Sequence, residues 1–380
     1  MITDHELDTI RSASVSRRSI FKGAGVAAGL TIFWKTGATA QNATPETTPV
    51  PPARPMPPTS LDAYVRINED GTATVLTGKI EYGQGIQTGF VQIIAEELSL
   101  PFESVTAVMG QTDTAPFDIG TFGSLSTQFT GPRLRQAGAG MRLWLLDLGA
   151  QQLQLDVSEV GLVDGTVASL TDPSMSVTYA ELAAGQQTAM ELDPNVALKD
   201  PATYTMIGAS VPRPDVSQKV NGSMIYGIDA TVEGMVWGKI VRPTGFGFTL
   251  SEIDFSAAES MPGVVGTFRD GDFAGIAAET LQQVEAAHAA VTATWVDPQS
   301  PITSENIHDS IVETADAGRQ LGVEESEDES ATPPPAPEIA NPIQLTFKAP
   351  YVCHTPIEPR TSLVQITPER VDVYASTQDP

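Results

Sequence analysis

Thiols are almost absent from this sequence. Cys353 is the one cysteine in 380 residues. An internal disulfide is therefore excluded, and there is no CxxC pair to hold zinc or an iron–sulfur cluster. Histidine is nearly as scarce. His5, His288, His308 and His354 show neither an H-x3-H nor an HExxH spacing, so no metal site built from protein ligands is expected. Basic residues are also few: Lys and Arg number 21 against 47 Asp and Glu, a formal net charge of −26. A field of that sign repels nucleic acid and anionic lipid surfaces, and nucleic acid is not expected as a partner. Long apolar runs are missing at the N-terminus, where an uncleaved membrane anchor or a buried helix competes with a signal peptide. The apolar stretch from Gly23 to Trp34 is about 12 residues, interrupted by Thr31, against the roughly 20 that cross a bilayer.

What flanks that stretch is an export signal. Ser16-Arg17-Arg18-Ser19-Ile20-Phe21-Lys22 precedes it, and Ala38-Thr39-Ala40 follows as a small-x-small cleavage site before Gln41. Residues 1–40 thus have the three-part layout of a signal peptide, and the paired arginines point to the twin-arginine route. The twin-arginine translocase is then a transient partner. The destination is the periplasm or the outer face of the cytoplasmic membrane.

Residues 41–60 are rich in Pro and Thr and read as an extended linker. Globular patterning begins at Leu61. Ala63, Val65 and Ile67 alternate with polar residues, Asn68-Glu69-Asp70-Gly71 is a turn, and Ala73 and Val75 alternate after it, which predicts a β-hairpin. Ile86, Phe90, Ile93, Ile94 and Leu98 fall at helical spacing and Pro101 stops that helix. Val105 to Met109 reads as a strand. Pro132 suits the first turn of a helix running to about Gln154. Between 155 and 205 short strands and turns are expected, with one small helix near Tyr179–Ala184. From Val211 onward, Met224 to Ile228, Gly234 to Val241 and Gly263 to Phe268 read as strands, and Asp254 to Met261 and Leu281 to Ala290 as helices. Residues 321–341 are acidic and Pro-rich, the composition of a disordered surface insertion. Strands are expected again over Ile343–Phe347, Ser362–Ile366 and Val371–Ala375. The class is α+β or α/β.

Two loops stand out chemically. Gly83-Gln84-Gly85 leads into the first helix, and Thr121-Phe122-Gly123-Ser124-Leu125-Ser126-Thr127 lies before the second. Glycine lets backbone approach a ligand closely, helix N-termini offer unpaired N–H groups, and Ser and Thr add hydroxyls. Either loop alone reads as a tight turn; the two together point toward a dinucleotide-type ligand. A nicotinamide-dinucleotide fingerprint competes poorly. Thr88 stands where the third glycine of GxGxxG belongs, and no acid follows at the expected distance. Cys353-His354 are adjacent on a strand-like segment, so they face opposite ways and do not form a catalytic dyad.

The segments GKIEYGQGIQTGFVQIIAEEL, TFGSLSTQFTGPRLRQA, RPDVSQKVNGSMIYGIDATVEGMVWGKIVRP, PGVVGTF and HTPIEPRTSLV with YASTQDP resemble, in that order, the molybdenum-binding large subunit of the xanthine oxidase family of molybdenum hydroxylases. The isoquinoline 1-oxidoreductase β-subunit branch is the most similar. Tyr82 stands where that branch usually has Met. The resemblance covers about 61–150 and 209–380. It implies an α+β fold: a first molybdopterin-binding segment over 61–208, an α/β-hammerhead domain over 209–320, and the start of the main molybdopterin-binding domain over 342–380, incomplete here. It implies a molybdopterin cofactor, usually the cytosine dinucleotide form, and a water-derived oxygen inserted into an N-heterocycle or aldehyde. Electrons would leave through iron–sulfur clusters on a [2Fe-2S] small subunit.

By position, the resemblance places Gln84, between Gly83 and Gly85, against the pterin. Thr121, Phe122, Gly123, Ser124 and Ser126 hold the phosphate end, and Gln378 sits beside the molybdenum ligands. The family's later Gly-rich loop and its glutamate general base have no counterpart among these 380 residues, and Glu81 and Glu358 do not occupy the glutamate's position. A second chain carrying the C-terminal half is therefore expected as partner, together with a small organic substrate. The competing readings are an inactive truncated product and a non-catalytic cofactor-binding or assembly protein.

Overall fold

The computed structural model describes residues 58–184, 188, 190–315, 345–352 and 355–380. The expected export signal, most of the expected linker, the expected acidic insertion and the Cys353-His354 pair lie outside the described residues. Within them the chain divides into two compact units, one of residues up to Met224 with Thr377–Pro380, the other Ile225–Ser376. Both mix helix and sheet, which agrees with the α+β expectation at that level.

In the first unit the predicted hairpin forms. Strands β1 (Val65–Ile67) and β2 (Ala73–Thr77) pair antiparallel. Their turn is closed by the Gly71 N–H donating to the Asn68 carbonyl at 2.9 Å, with Gly71 at φ +84°. Helix α1 (Ile86–Leu98) then crosses over to β3 (Val105–Met109), which joins β2 in parallel register, Ala73 opposite Val105. The helix ends at Ser99, not at Pro101: Ser99 takes the left-handed conformation and its N–H bonds the Ala95 and Glu96 carbonyls. Helix α2 (Gly131–Leu153) begins with Pro132 in its first turn. It packs against α1 and against a second small sheet of β4 (Val160–Val163), β5 (Thr166–Ser169) and β6 (Ser176–Thr178). Phe90, Ile94 and Leu98 of α1 and Leu134, Met141 and Leu145 of α2 are buried in one core with Leu61, Val65, Val75, Val167 and Tyr179. The helical period read from the sequence is the period that fills this core.

The second unit carries β7 (Trp237–Val241), β10 (Phe273–Ala278) and β9 (Val264–Asp270) in that spatial order, all antiparallel. β8 (Thr249–Asp254) pairs with β11 (Thr292–Val296), and β12 (Ser362–Ile366) pairs with β13 (Val371–Ala375). Helix Leu281–Ala289 covers the first of these sheets through Val284 and Ala287.

Several expectations need correction. Met224–Ile228 is not a strand. The Asp229 and Ala230 N–H groups both bond the Tyr226 carbonyl, at 2.9 and 3.2 Å, and the Asp229 carboxylate accepts the Tyr226 N–H at 3.2 Å, so the backbone folds into a turn. Gly234, at φ +74°, delays the next strand until Trp237. The helix expected over Asp254–Met261 is confined to Ser256–Glu259, because Asp254 belongs to β8. Residues 345–347, the described part of another expected strand, carry no strand. Strands β8, β10 and β11 were not read from the sequence. β10 is buried along most of its length and so lacks a period-two signature.

Candidate functional site

Three segments far apart in sequence meet at one place in the first unit: Lys79–Gly85, Asp118–Ser126 and Gln378. Backbone conformation shapes the first. Gly83 and Gly85 have φ of +111° and +84°, open to glycine at little cost. This turn aims the N–H groups that begin α1 to one side. The sequence predicts unpaired N–H groups here, but three of them, at Gly83, Gly85 and Gln87, are taken by Glu81. Its Oε1 accepts from the Gly83 and Gly85 N–H groups at 2.8 and 2.9 Å, and its Oε2 from Gln87 N–H at 3.0 Å. A carboxylate at a helix N-terminus satisfies orphan donors and favours the helix dipole. An acid just ahead of a helix start was the signal in the sequence that this cap existed. Gln84 is folded onto the same loop: its Oε1 accepts the Tyr82 N–H and its Nε2 donates to the Ile80 carbonyl, both at 2.8 Å.

The second loop is closed by a buried ion pair that sequence reasoning missed. Lys79 is 2% exposed. Its Nζ lies 2.7 Å from Asp118 Oδ1 and donates to the Gly120 carbonyl at 2.6 Å. Asp118 also accepts the Gly120 N–H at 3.0 Å and the Thr130 hydroxyl at 3.4 Å, so it holds both ends of the loop. A lysine following an apolar strand in so acidic a chain was the available clue, since a buried charge needs a partner.

Thr121 is the hub. Its hydroxyl accepts the Ile80 N–H at 2.8 Å, and its N–H donates to the Gln378 carbonyl at 2.8 Å. Its own carbonyl accepts Gln378 Nε2 at 2.7 Å and the Tyr82 hydroxyl at 3.3 Å. The structure thus brings Gln378 to Thr121 across 257 positions and gives Thr121 a bracing role. The outer rim of the loop is different. Phe122 is exposed, and Gly123 and Ser124 follow with left-handed φ of +65° and +58°. Leu125 and Ser126 lead into a π-helical turn over Ser126–Thr130. Among the described residues no group bonds the hydroxyls of Ser124 or Ser126; the Ser124 carbonyl accepts Gln128 Nε2 at 3.3 Å.

Further along α1, Glu96 and Glu97 are buried and bind the segment 195–209. Glu96 Oε2 accepts N–H groups of Thr205, Met206 and Ile207 at 2.9, 2.6 and 3.2 Å, and Lys199 Nζ donates to the Glu96 carbonyl. Burial works against the Glu96 charge, but these three N–H bonds and Lys199 outweigh it and hold the carboxyl below its ordinary value. For Glu97 burial wins and pushes the carboxyl up, although Arg142 and Arg135 lie 3.4 and 3.6 Å away. The Glu-Glu pair of the motif is thus an anchor for a strap. Among the described residues no cluster of His, Cys, Asp or Glu could hold a metal ion, and no helix is long and apolar enough to cross a membrane.

Comparison with known proteins identifies the family. Residues 8–233 match the family model of the molybdopterin cofactor-binding domain. A nicotinate dehydrogenase subunit of Pseudomonas putida is 30% identical over 335 residues, covering 84% of this chain and 27% of that one. The beta subunit of isoquinoline 1-oxidoreductase from Brevundimonas diminuta is 26% identical, covering 76% of this chain and 41% of the relative. The membrane-bound aldehyde dehydrogenase (pyrroloquinoline-quinone) of Gluconacetobacter polyoxogenes is 28% identical, with 68% and 34% covered. The chain belongs to the molybdopterin cofactor-binding domain family, among the molybdenum-binding subunits of the xanthine oxidase type. It spans between about a quarter and two fifths of the length of these relatives.

Proposed function

We propose that this chain is part of the large subunit of an exported molybdenum-cofactor oxidoreductase, acting on an N-heterocycle or an aldehyde with oxygen drawn from water. The observation that carries the reading is the convergence of the two loops and Gln378 around Thr121, in a chain whose residues 8–233 match a molybdopterin cofactor-binding domain. The fit differs between the loops. On the second, the left-handed Gly123 and Ser124 and the Ser124 and Ser126 hydroxyls provide the neutral donors that a phosphate needs in so acidic a chain. On the first, the anion position is filled by Glu81, so that loop does not fit a phosphate. Its exposed Gln84 is suited to a flat, uncharged heterocycle edge, once its two hydrogen bonds within the loop open.

Bound there, the molybdenum cofactor would supply two-electron redox and oxygen-transfer chemistry. The protein's own part is to bind and orient it: Gly123, Ser124 and Ser126 at the phosphate end, Phe122 beside them, Gln84 at the pterin and Gln378 toward the metal end. The cytosine dinucleotide form suits this arrangement. A general base is not assigned in this chain. Glu81 is spent on the α1 cap, and Glu358 accepts from Gly227 N–H and the Ser376 hydroxyl at 3.2 and 3.0 Å. The base would come from the remainder of the large subunit, and electrons would leave through a [2Fe-2S] partner. The second unit would be the hammerhead. Residues 1–40 would direct twin-arginine export, which delivers a protein already folded around a cofactor made in the cytoplasm.

A second reading, a chain that binds no cofactor, draws on Glu81 and on the inward-folded Gln84. One experiment separates the two. The chain is produced alone and together with a chain carrying the rest of the large subunit, and molybdenum and pterin are measured per mole of protein. Near-stoichiometric molybdenum in the co-produced complex is expected; none in either preparation would sink the proposal.

A further inference from the structure

The shape of the Gly83–Gly85 loop depends on a residue 130 positions away. Arg213 Nη1 donates to the Gly83 carbonyl at 3.0 Å. Its Nη2 lies 3.8 Å from Glu81 Oε1, the oxygen that caps Gly83 and Gly85. A Cβ placed on Gly85 would stand 3.4 Å from the same Nη1, so the guanidinium lies flat against the turn. The fork itself is held: Nε and Nη2 bond the two oxygens of Asp215 at 3.0 and 2.6 Å, and Lys219 Nζ reaches Asp215 Oδ2 at 2.5 Å. Asp215 is buried, at 8% exposure, and Arg213 with Lys219 keeps its carboxyl far below the usual range. Two cations and two carboxylates thus balance around one turn.

We infer that Arg213 is a positioning residue for the cofactor loop: it braces the Gly83 carbonyl and the Glu81 cap, and so makes the loop's conformation contingent on the docking of residues 211–219. The physical ground is that only a planar fork can bond one carboxylate at two points while a third N–H reaches a carbonyl. Lysine has the charge and lacks that geometry. This deepens the proposed function by naming what regulates the same loop. Its cofactor arm rests on that reading, while its exchange arm does not.

The test uses Arg213→Ala, Arg213→Lys and the unaltered full chain. Amide hydrogen exchange is followed by mass spectrometry, with exogenous guanidinium added at about 10–50 mM. Arg213→Ala should raise exchange in peptides covering 81–87 at least tenfold and leave the 90–98 half of α1 and the 195–209 strap unchanged. Added guanidinium should restore protection in Arg213→Ala, and Arg213→Lys should fall between. Unchanged exchange at 81–87 would overturn the inference. So would a rise spread over the whole unit with no rescue, since that is loss of fold. In the co-produced complex, Arg213→Ala should lower molybdenum content several-fold. Full loading of Arg213→Ala alongside full loading of the unaltered chain would also overturn it. Absence of molybdenum from both would count against the proposed function alone, leaving the exchange result to decide this one.

Discussion

Carboxylates do more of the building in this chain than its apolar residues alone would suggest. Glu81, Glu96 and Glu97 lie on or beside one helix, yet each has a different environment and a different consequence. Glu81 replaces an external anion at the α1 N-terminus. Glu96 replaces the secondary structure that the strap 205–207 lacks, by accepting three consecutive N–H groups. Glu96→Gln removes the charged acceptor while keeping the shape. Hydrogen bonds to charged groups are worth roughly 1.5–3 kcal/mol each, and the amide retains part of them, so a loss of about 2–4 kcal/mol in unfolding free energy is expected. The pH dependence has a definite sign. Glu96 has a folded value below the ordinary 4.5, so its contribution is complete above about pH 4.5 and fades as pH falls through the lower folded value. The gap between the unaltered chain and Glu96→Gln in denaturant melts should therefore close on acidification. A gap that is the same at pH 7 and pH 3 would contradict this account. Glu97 runs the other way: its raised carboxyl makes ionisation a cost that disappears as pH falls.

Helices were the most legible elements, because their burial follows a single period. α1 was readable from Ile86 to Leu98 and α2 from Pro132, and both formed. What no periodicity reveals is why α2 tolerates glycines inside it. A Cβ at Gly149 would come within 2.4, 2.6 and 2.9 Å of three Val167 side-chain atoms of β5. Valine is β-branched and has little rotamer freedom to yield. Gly149→Ala gains about 1 kcal/mol of helix propensity and incurs roughly 1–3 kcal/mol of overpacking. The overpacking offsets or exceeds that gain, so a net destabilisation of up to about 2 kcal/mol is expected from thermal or urea melts. Val167→Ala in the same chain should recover part of it, and strictly additive effects would argue that the contact is not the cause. Short strands fared worse for an equally physical reason. β10 is apolar and buried along most of its length, so alternation is absent, and β8 owes its place to pairing with β11 across about forty residues of chain.

At the scale of the whole molecule, the acidic chain leaves apolar side chains exposed, and one short sheet gathers four of them on one face. In the β12–β13 hairpin, Val364 pairs with Val373 and Ile366 with Val371, and all four are half or more exposed on the same face. Among the described residues this sheet has two strands, and such a pair is marginal without a covering layer. The chain alone should therefore self-associate, with an apparent mass by light scattering that rises with concentration. Val364→Lys with Ile366→Lys should move it toward the monomer. A monodisperse monomer of the unaltered chain across the concentration range would count against an unpartnered face. Co-production with the rest of the large subunit, the measurement that tests the proposed function, should suppress the association as well.

From the sequence alone came the class of fold, the two main helices, the hairpin, the pair of Gly-rich loops and, through separate motifs in order, the family. Those features are local: a period, a turn residue or a short motif carries each, and neighbouring residues suffice to specify it. The tertiary structure decided how the candidate site is assembled. Lys79 and Asp118 closing the second loop, Thr121 joining Gln378, and Arg213 bracing Gly83 are hydrogen bonds and ion pairs that link residues tens to hundreds of positions apart. Such contacts depend on where the chain returns in space, and no spacing within a segment records that.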